Sequence, residues 1–199
     1  MRTGKELVNA ALKYEELERT PWVPFTGVHV AKLIDMDAES FLKDADAIAK
    51  GVIVAAERYK ADGVCSVFDL QVEAEALGCT LKWAKNNPPA VVSHILEQGM
   101  TLNDLPTFTK DKGRIQLCLD ATKKIIDEIG NDTAVFALVC GPFTLALHLT
   151  GQSFITGMIE TPDKAKEILD YCADICVKIS GWYLELGVDA IAVVDPMTS

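Results

Sequence analysis

The distribution of hydrophobic and polar residues along the chain predicts strands that alternate with helices. Four short segments are almost wholly apolar and are followed by polar or glycine-rich residues: 22–28, 63–69, 133–140 and 189–194. Continuous apolar runs of this length are typical of strands that are buried on both faces of a parallel sheet. Pro24 predicts that the first of these strands is irregular or only partly paired.

Apolar residues at helical spacing occupy the intervals between the predicted strands. Thr3 and Glu6 form a capping box, so we expect a first helix over residues 4–18. The last helix is bounded by Thr161-Pro162 at its start and by Gly187 after its end. The later helices are predicted over residues 39–59, 113–129 and 162–186.

The interval between the second and third strands is long and irregular. Within it, residues 79–82 predict a short strand and residues 86–89 a turn. A long excursion after a strand is where an α/β enzyme keeps a segment that contacts its substrate. We therefore expect residues 70–111 to form such a flap.

The order of the elements, a strand and then a helix in four repeats, predicts an α/β fold. Neither G-x-G-x-x-G nor G-x-x-x-x-G-K-[ST] follows a predicted strand, which disfavours a nucleotide-binding Rossmann fold. A (β/α)8 TIM barrel needs eight strands, and this chain supplies four. We predict an N-terminal helical extension over residues 1–20 and the N-terminal, front half of such a barrel over residues 21–199.

Composition and charge favour a soluble, cytoplasmic protein. Hydrophobic residues make up 49% of the chain, but there is no run of about 18 apolar residues and no apolar signal-peptide core. The net charge of -10 and the lack of a basic cluster argue against binding to nucleic acid. The six cysteines show no C-x-x-C spacing and are expected to be free thiols. Cys172 and Cys176 lie one helical turn apart on an apolar stripe, which favours core packing over metal ligation.

Polar residues that follow the predicted strands are the first candidates for a functional site. His29, Asp69 and Asp195 follow three of the strands, and Gly141-Pro142 ends the other. In parallel α/β folds, ligands bind just past the carboxyl ends of the strands. The segment 140–151 is therefore either a loop of the site or a simple turn into the next helix.

Three segments resemble the uroporphyrinogen decarboxylase superfamily: residues 68–78 (F-D-L-Q-V-E-A-E-A-L-G), 141–149 (G-P-F-T-L-A-L-H-L) and 194–199 (V-D-P-M-T-S). That superfamily also contains cobalamin-dependent methyltransferases, which move methyl groups between corrinoid proteins and coenzyme M or tetrahydrofolate. The resemblance extends from about Pro21 to the end of the chain. It implies a TIM barrel whose cleft opens at the carboxyl ends of the strands.

Within this superfamily the residues favour the methyltransferase branch. The decarboxylases carry an arginine-rich R-Q-A-G-R-Y segment that binds substrate carboxylates, whereas residues 25–30 of this chain contain no arginine. The decarboxylases also have a tyrosine at the position of His148, and Asp195-Pro196 resembles the methyltransferases. The predicted function is methyl transfer between a corrinoid protein and a thiol or tetrahydrofolate acceptor, in one-carbon metabolism. The alternative is uroporphyrinogen decarboxylation, in tetrapyrrole biosynthesis.

The resemblance implies a role for one acidic residue in particular. Asp69 matches the decarboxylase aspartate that holds pyrrole N–H groups. In a methyltransferase it is the candidate catalytic residue, placing a cationic or N–H-bearing group, with a helix or loop cap as the alternative. Glu73 and Glu75 either face the cleft or are solvated acids at a helix start.

Four further residues are candidate substrate-binding positions: His29, Phe143, His148 and Asp195. A histidine on an apolar helix start is often structural, and an acid after a strand is sometimes only exposed. Structural interpretations of His148 and Asp195 therefore stay open.

In the thiol-directed members of the superfamily, zinc lowers the pKa of the acceptor thiol, and the thiolate takes the methyl group from cobalt. Their zinc ligands come from an H-x-C motif and a later cysteine. No H-x-C occurs here, so we predict no metal ligand in this chain: either the zinc site lies outside it, or the protein uses no zinc, as the resemblance allows for tetrahydrofolate-directed members. The corrinoid signature D-x-H-x-x-G is also absent, which predicts that methylcobalamin arrives on a partner corrinoid protein and that the acceptor is a small molecule.

A non-enzymatic alternative follows from the number of strands. A half-barrel has two open sheet edges and an exposed apolar interior. We therefore expect self-association or a missing C-terminal half, and a half-barrel or corrinoid-protein docking module without catalysis is the second alternative.

Overall fold

A computed structural model describes residues 2–198 and shows an α/β fold with a parallel sheet, which confirms the predicted class. The strands are β1 (Gly63–Cys65), β2 (Leu81–Lys82), β3 (Ala90–Val91), β4 (Ala134–Cys140) and β5 (Ala190–Val194). The helices are α1 (Gly4–Leu12), α2 (His29–Leu33), α3 (Ala38–Leu42), α4 (Ala45–Tyr59), α5 (Val72–Ala76), α6 (Ile115–Ile129), α7 (Pro142–Thr150), α8 (Ser153–Glu160) and α9 (Pro162–Leu186). Among these residues, no helix combines the length and the apolar character needed to cross a bilayer.

The main sheet has the order β1-β4-β5, and its neighbouring strands are parallel. Helix α6 leads from the β1 side into β4, and the long helix α9 returns the chain to β5, so apolar strands are covered by apolar helix faces. β2 and β3 form a separate antiparallel pair, which confirms the short strand predicted within residues 79–82. Within residues 2–198 the sheet is open, with β1 and β5 at its edges.

The strand predicted over residues 22–28 is wrong. This segment lies beside β1, where the Trp22 carbonyl accepts a hydrogen bond of 2.9 Å from the Asp62 N–H. Pro24 has no N–H to continue a ladder, and Gly27 turns the chain at φ +52° toward α2. The segment is therefore extended next to the sheet without being one of its strands.

Two predicted helices differ in their bounds. The first begins at the Thr3–Glu6 capping box as expected, but it ends at Leu12 instead of continuing to residue 18. The helix predicted over residues 39–59 is two helices, because the Asp44 carboxylate accepts hydrogen bonds from the N–H groups of Asp46 and Ala47 and so starts α4 anew. The last helix has the predicted bounds, with Gly187 in the left-handed conformation after it.

The amino end of β1 is fixed by an ion pair. Asp62, directly before the strand, is 3% exposed. Its two carboxylate oxygens lie 2.6 and 2.5 Å from the Arg19 guanidinium nitrogens, and it also accepts a hydrogen bond of 2.8 Å from the Trp22 N–H. This pairing holds the pKa of Asp62 below its usual value and ties the N-terminal segment under the sheet.

The cysteines belong to the core. All six are buried and none is in a disulfide, as the sequence predicted. Cys172 and Cys176 lie on the buried side of α9, together with Ile168, Ile175 and Ile179.

Candidate active site

Asp69 lies in the loop that follows β1, and its side chain is fully buried. One carboxylate oxygen accepts a hydrogen bond of 2.9 Å from the Gln71 N–H, which closes the turn just before α5. The other oxygen, Oδ2, lies 2.8 Å from Nη2 of Arg114, as an ion pair without the alignment of a hydrogen bond. Asp69 therefore caps this loop, which was the structural alternative predicted for it. It also places a buried charge past the carboxyl end of a strand.

Arg114 is the cationic group of the site, and sequence reasoning missed it. Its side chain is 8% exposed, and its Nε donates a hydrogen bond of 2.7 Å to Oε2 of Glu75. The guanidinium also lies 4.8 Å from the centre of the Trp83 ring. The signal was in the helical spacing, because Arg114, the residue directly before α6, stands four residues before the buried Cys118.

Glu73 is neither solvated nor directed at an open cleft. It is 1% exposed, and its Oε1 accepts a hydrogen bond of 2.9 Å from the N–H of Cys140, the last residue of β4. Its Oε2 has no hydrogen-bond partner. Burial raises the pKa of Glu73 to about 7, and the charge of Asp69 adds to this, against the Cys140 N–H and Arg114.

His148 lies on α7 and is partly buried, with no hydrogen-bond partner for its Nδ1. Burial lowers the pKa of His148 to about 4, the charge of His94 lowers it further, and Asp69 opposes them. The imidazole is therefore neutral at neutral pH. His94, which the sequence analysis did not select, donates a hydrogen bond of 3.0 Å from Nδ1 to the His148 carbonyl.

Asp195 joins the end of β5 to the start of α7. Its carboxylate accepts hydrogen bonds of 3.0 and 2.7 Å from the N–H groups of Phe143 and Thr144, and one of 2.5 Å from the Thr144 hydroxyl. Gly141 is required beside it, because a Cβ at that position would overlap the Asp195 side chain. Asp195 thus caps α7 from a neighbouring strand.

Phe143 and His29 lie in different surroundings. The Phe143 ring packs edge-on against Phe154, with centroids 5.3 Å apart, beside the Asp195 cap. The exposed His29 has its Nε2 2.7 Å from the Tyr59 hydroxyl on the outer helix α4. The structure therefore gathers Asp69 with Glu73 and Arg114, joins Phe143 to Asp195, and leaves His29 with Tyr59.

A groove of about 800 Å³ lies between residues 96–103 and the helices α8 and α9. One wall comes from the irregular segment that was predicted to be a flap. Phe154, the neighbour of Phe143, contributes to the other wall. The lining includes Leu96, Met100, Leu102, Ser153, Phe154 and Ile168.

Buried polar atoms without hydrogen-bond partners are concentrated at this strand end. In the part of the chain that the structure describes, they belong to five side chains: Asp69, Gln71, Glu73, Arg114 and His148. Two of them, Asp69 and Arg114, satisfy each other as an ion pair. Native interiors leave few such atoms, so their concentration at one place makes this strand end a candidate functional site.

The described residues do not fit a zinc site. Between residues 2 and 198, no group of three or more His, Cys, Asp or Glu side chains is arranged to hold a metal ion. Zinc takes cysteine as thiolate, whereas burial raises the pKa of both the Cys65 and the Cys118 thiol to about 12. No step of the chemistry is therefore assigned to zinc in these residues.

The fold and the site together define a class: α/β proteins that place their functional groups past the carboxyl ends of parallel strands. The family model described as uroporphyrinogen decarboxylase (URO-D) matches residues 3–199, and the chain belongs to this family.

The relatives in this family are methyltransferases. The chain is 29% identical over 203 residues to the methylcobamide:CoM methyltransferase MtbA of Methanosarcina acetivorans, which covers 99% of this chain and 59% of that protein. It is 26% identical over 202 residues to the methylcobamide:CoM methyltransferase MtaA of Methanosarcina barkeri, covering 99% of this chain and 60% of that protein.

A solved structure of a methyltransferase is also similar to this chain. A methyltransferase from Methanosarcina mazei superposes with a TM-score of 0.89 at 27% sequence identity, over 100% of this chain and 60% of that chain. The chain thus spans about 60% of the length of the relatives that it matches, and corresponds to their N-terminal part.

Proposed function

We propose that this chain is the N-terminal part of a methyltransferase that moves a methyl group between a methylcobamide on a partner protein and a thiol or tetrahydrofolate acceptor. The observation that carries the proposal is the similarity, over 99% of the chain, to proteins named methylcobamide:CoM methyltransferase. In this proposal residues 21–199 supply the front half of a TIM barrel, and residues 1–20 are an extension that packs under it.

The charges of the site support methyl transfer over uroporphyrinogen decarboxylation. A substrate with many carboxylates needs free guanidinium groups to bind it. The guanidinium of Arg114 is buried and already paired with Asp69 and Glu75. Residues 25–30 contain no arginine that replaces it.

The corrinoid, when bound, supplies the methyl group and accepts the electron pair that the group leaves behind. The contribution of this chain is to place the acceptor. His148 is neutral, so its unpartnered Nδ1 is available for a hydrogen bond to an uncharged or anionic group without contributing a positive charge.

Asp69 has the central role in this proposal. Its buried carboxylate fixes Arg114 and the start of α5, and thereby sets the positions of the groups around the acceptor. Direct contact between Asp69 and the acceptor requires the ion pair with Arg114 to open.

A methyl-transfer assay tests the proposal. The purified protein is supplied with a methylated corrinoid protein and with coenzyme M or tetrahydrofolate, in parallel with and without added zinc. We expect demethylation of the corrinoid that depends on one of the acceptors. Turnover of uroporphyrinogen would overturn the proposal, and tight binding of the corrinoid protein without any transfer would support a docking module instead.

A further inference from the structure

The buried acids beside β1 outnumber the cations that neutralise them. Asp69, Glu73 and Glu75 stand within seven residues of one another, and a single guanidinium, that of Arg114, lies among them. Arg114 uses Nη2 for Asp69 and Nε for Glu75, and its Nη1 donates a hydrogen bond of 3.3 Å to the Leu42 carbonyl. Within residues 2–198, none of these contacts of Arg114 is with Glu73.

Glu73 therefore has no ion-pair partner within residues 2–198, although it is only 1% exposed, against 4% for Asp69. Among the side-chain hydrogen bonds within residues 2–198, Oε1 of Glu73 accepts one from the uncharged N–H of Cys140, and Oε2 accepts none. An unpaired buried charge costs far more free energy than an unpaired buried hydroxyl. The neutral, protonated acid is the form that this environment tolerates.

We propose that Glu73 is a positioning residue of the active site: it stays protonated, and its neutrality keeps Arg114 committed to Asp69 and Glu75. Ionisation of Glu73 places a third negative charge beside Asp69 and draws Arg114 away from it. The active arrangement of Asp69 is then lost. The activity measurement for this inference rests on the function proposed above, whereas the infrared measurement does not.

The histidine, thiol and tyrosine groups near this site do not titrate in the same range. Burial lowers the pKa of His148 to about 4, and it raises the pKa of Tyr183 and of the neighbouring thiols above their usual values. The charged and titratable groups that interact with Glu73 are Asp69, Arg114, Cys118, Cys140, Cys176 and Tyr183.

The first measurement is an infrared titration of the unmodified protein, which does not depend on activity or on a variant that folds. We expect the carbonyl stretch of a protonated, buried carboxylic acid at pH 6, and its loss as the pH rises past about 7. Glu73→Gln, which keeps an acceptor for the Cys140 N–H, should lack this band. Absence of the band from the unmodified protein at pH 6 would overturn the proposal.

The second measurement is the pH profile of methyl transfer. In the unmodified protein we expect kcat/KM to fall about tenfold per pH unit above neutrality, because only the protonated form keeps Asp69 in place. Glu73→Gln should lose this alkaline limb. Glu75→Gln is the matched control: it removes a partner of Arg114 from the same helix but leaves Glu73 intact, so the limb should remain.

The outcomes separate this proposal from the proposed function. A protein with the infrared band but no methyl transfer to any acceptor would contradict the proposed function, and with it the positioning role. A band together with an alkaline limb that persists in Glu73→Gln would overturn the positioning role alone.

Discussion

At the carboxyl end of β1, one buried guanidinium holds two carboxylates in place. Asp69 and Arg114 are both at most 8% exposed in their side chains. A buried pair of this kind contributes little relative to an apolar pair, but the loss of one partner leaves the other charge uncompensated. Arg114 is therefore the residue on which the charge balance of the site depends.

Replacing Arg114 tests this balance. Arg114→Met should lower the free energy of unfolding by about 3–5 kcal/mol, because Asp69 and Glu75 lose their cation. Lys166→Met is the matched control, since it removes an exposed pair with Asp170 and should cost about 0.5 kcal/mol or less. Equal effects of the two variants in urea denaturation would contradict the role given to Arg114.

The titration of Glu73 also affects stability. Its pKa is about 7 in the folded chain against a usual value of 4.5, so above pH 4.5 the unfolded chain releases a proton that the folded chain retains. The stability of the unmodified protein should therefore fall as the pH rises from about 4.5 to 7. Urea denaturation between pH 4.5 and 7 measures this decrease in the free energy of unfolding, and Glu73→Gln should lack the contribution of Glu73 to it. A decrease of the same size in both proteins would disprove the burial of a protonated acid.

Residue chemistry was only partly predictable from the sequence. Asp69 stood out because an acid ended an apolar run. The burial of Glu73 and the pairing of Arg114 depend on how α5, α6 and β4 pack together. A local sequence pattern does not predict that packing. The spacing of four residues between Arg114, directly before α6, and the buried Cys118 was the one available signal.

At the scale of elements, the Asp195 cap connects β5 to α7. The carboxylate satisfies two N–H groups that a helix start leaves unpaired. Gly141 leaves the space in which this carboxylate lies. Gly141-Pro142 is therefore more than a turn, because Gly141 leaves room for the Asp195 side chain, which follows β5.

Substitution of Asp195 measures the strength of this connection. Asp195→Ala should reduce the free energy of unfolding by about 0.5–2 kcal/mol, the usual cost of a lost helix cap. Asp195→Asn retains one acceptor oxygen and should cost less. Gly141→Ala should cost at least as much as Asp195→Ala, because its methyl group displaces the carboxylate; unchanged urea midpoints for both would contradict the cap.

The bounds of elements were predictable where a cap or a glycine marks them, as at Thr3 and Gly187. The bounds were not predictable where a capping residue or a proline interrupted an apolar pattern. Asp44 interrupts an apolar stripe that continues on both sides of it, so the periodicity over residues 39–59 hid the break. In residues 22–28 the apolar run predicted a strand, but the missing N–H of Pro24 prevented the ladder.

At the scale of the whole molecule, one side of the sheet has no neighbour within residues 2–198. β5 pairs only with β4, and Val193 and Met197 are each 56% exposed. On β4, Phe136 packs against Phe25, which is 40% exposed. Apolar groups at an open sheet edge favour association with another chain or segment.

Sedimentation tests this expectation directly. The 199-residue chain on its own should sediment above the mass of one chain, increasingly so at higher concentration. Val193→Lys, at the open edge, should shift it toward a monomer, and Lys166→Met serves as an exposed control. A monomer at all concentrations would contradict the self-association of this half.

The parallel α/β class followed from the apolar runs alone, and the family followed from three segments. Open sheet edges were expected from the number of strands, but a strand count does not say which strands pair, so the order β1-β4-β5 did not follow from the pattern. The TM-score of 0.89 to a methyltransferase supplies the overall arrangement that local patterns lack.

We expect the carboxylate past the end of β1 to control methyl transfer. Asp62 offers a matched control, because it is also buried and paired with an arginine, but at the amino end of the same strand. In methyl transfer from a methylated corrinoid protein, Asp69→Asn should lower kcat/KM about 100-fold or more in the folded protein, and Asp62→Asn should leave it near that of the unmodified protein. Equal losses in the two variants, or an Asp69→Asn protein with an unchanged kcat/KM, would contradict the account.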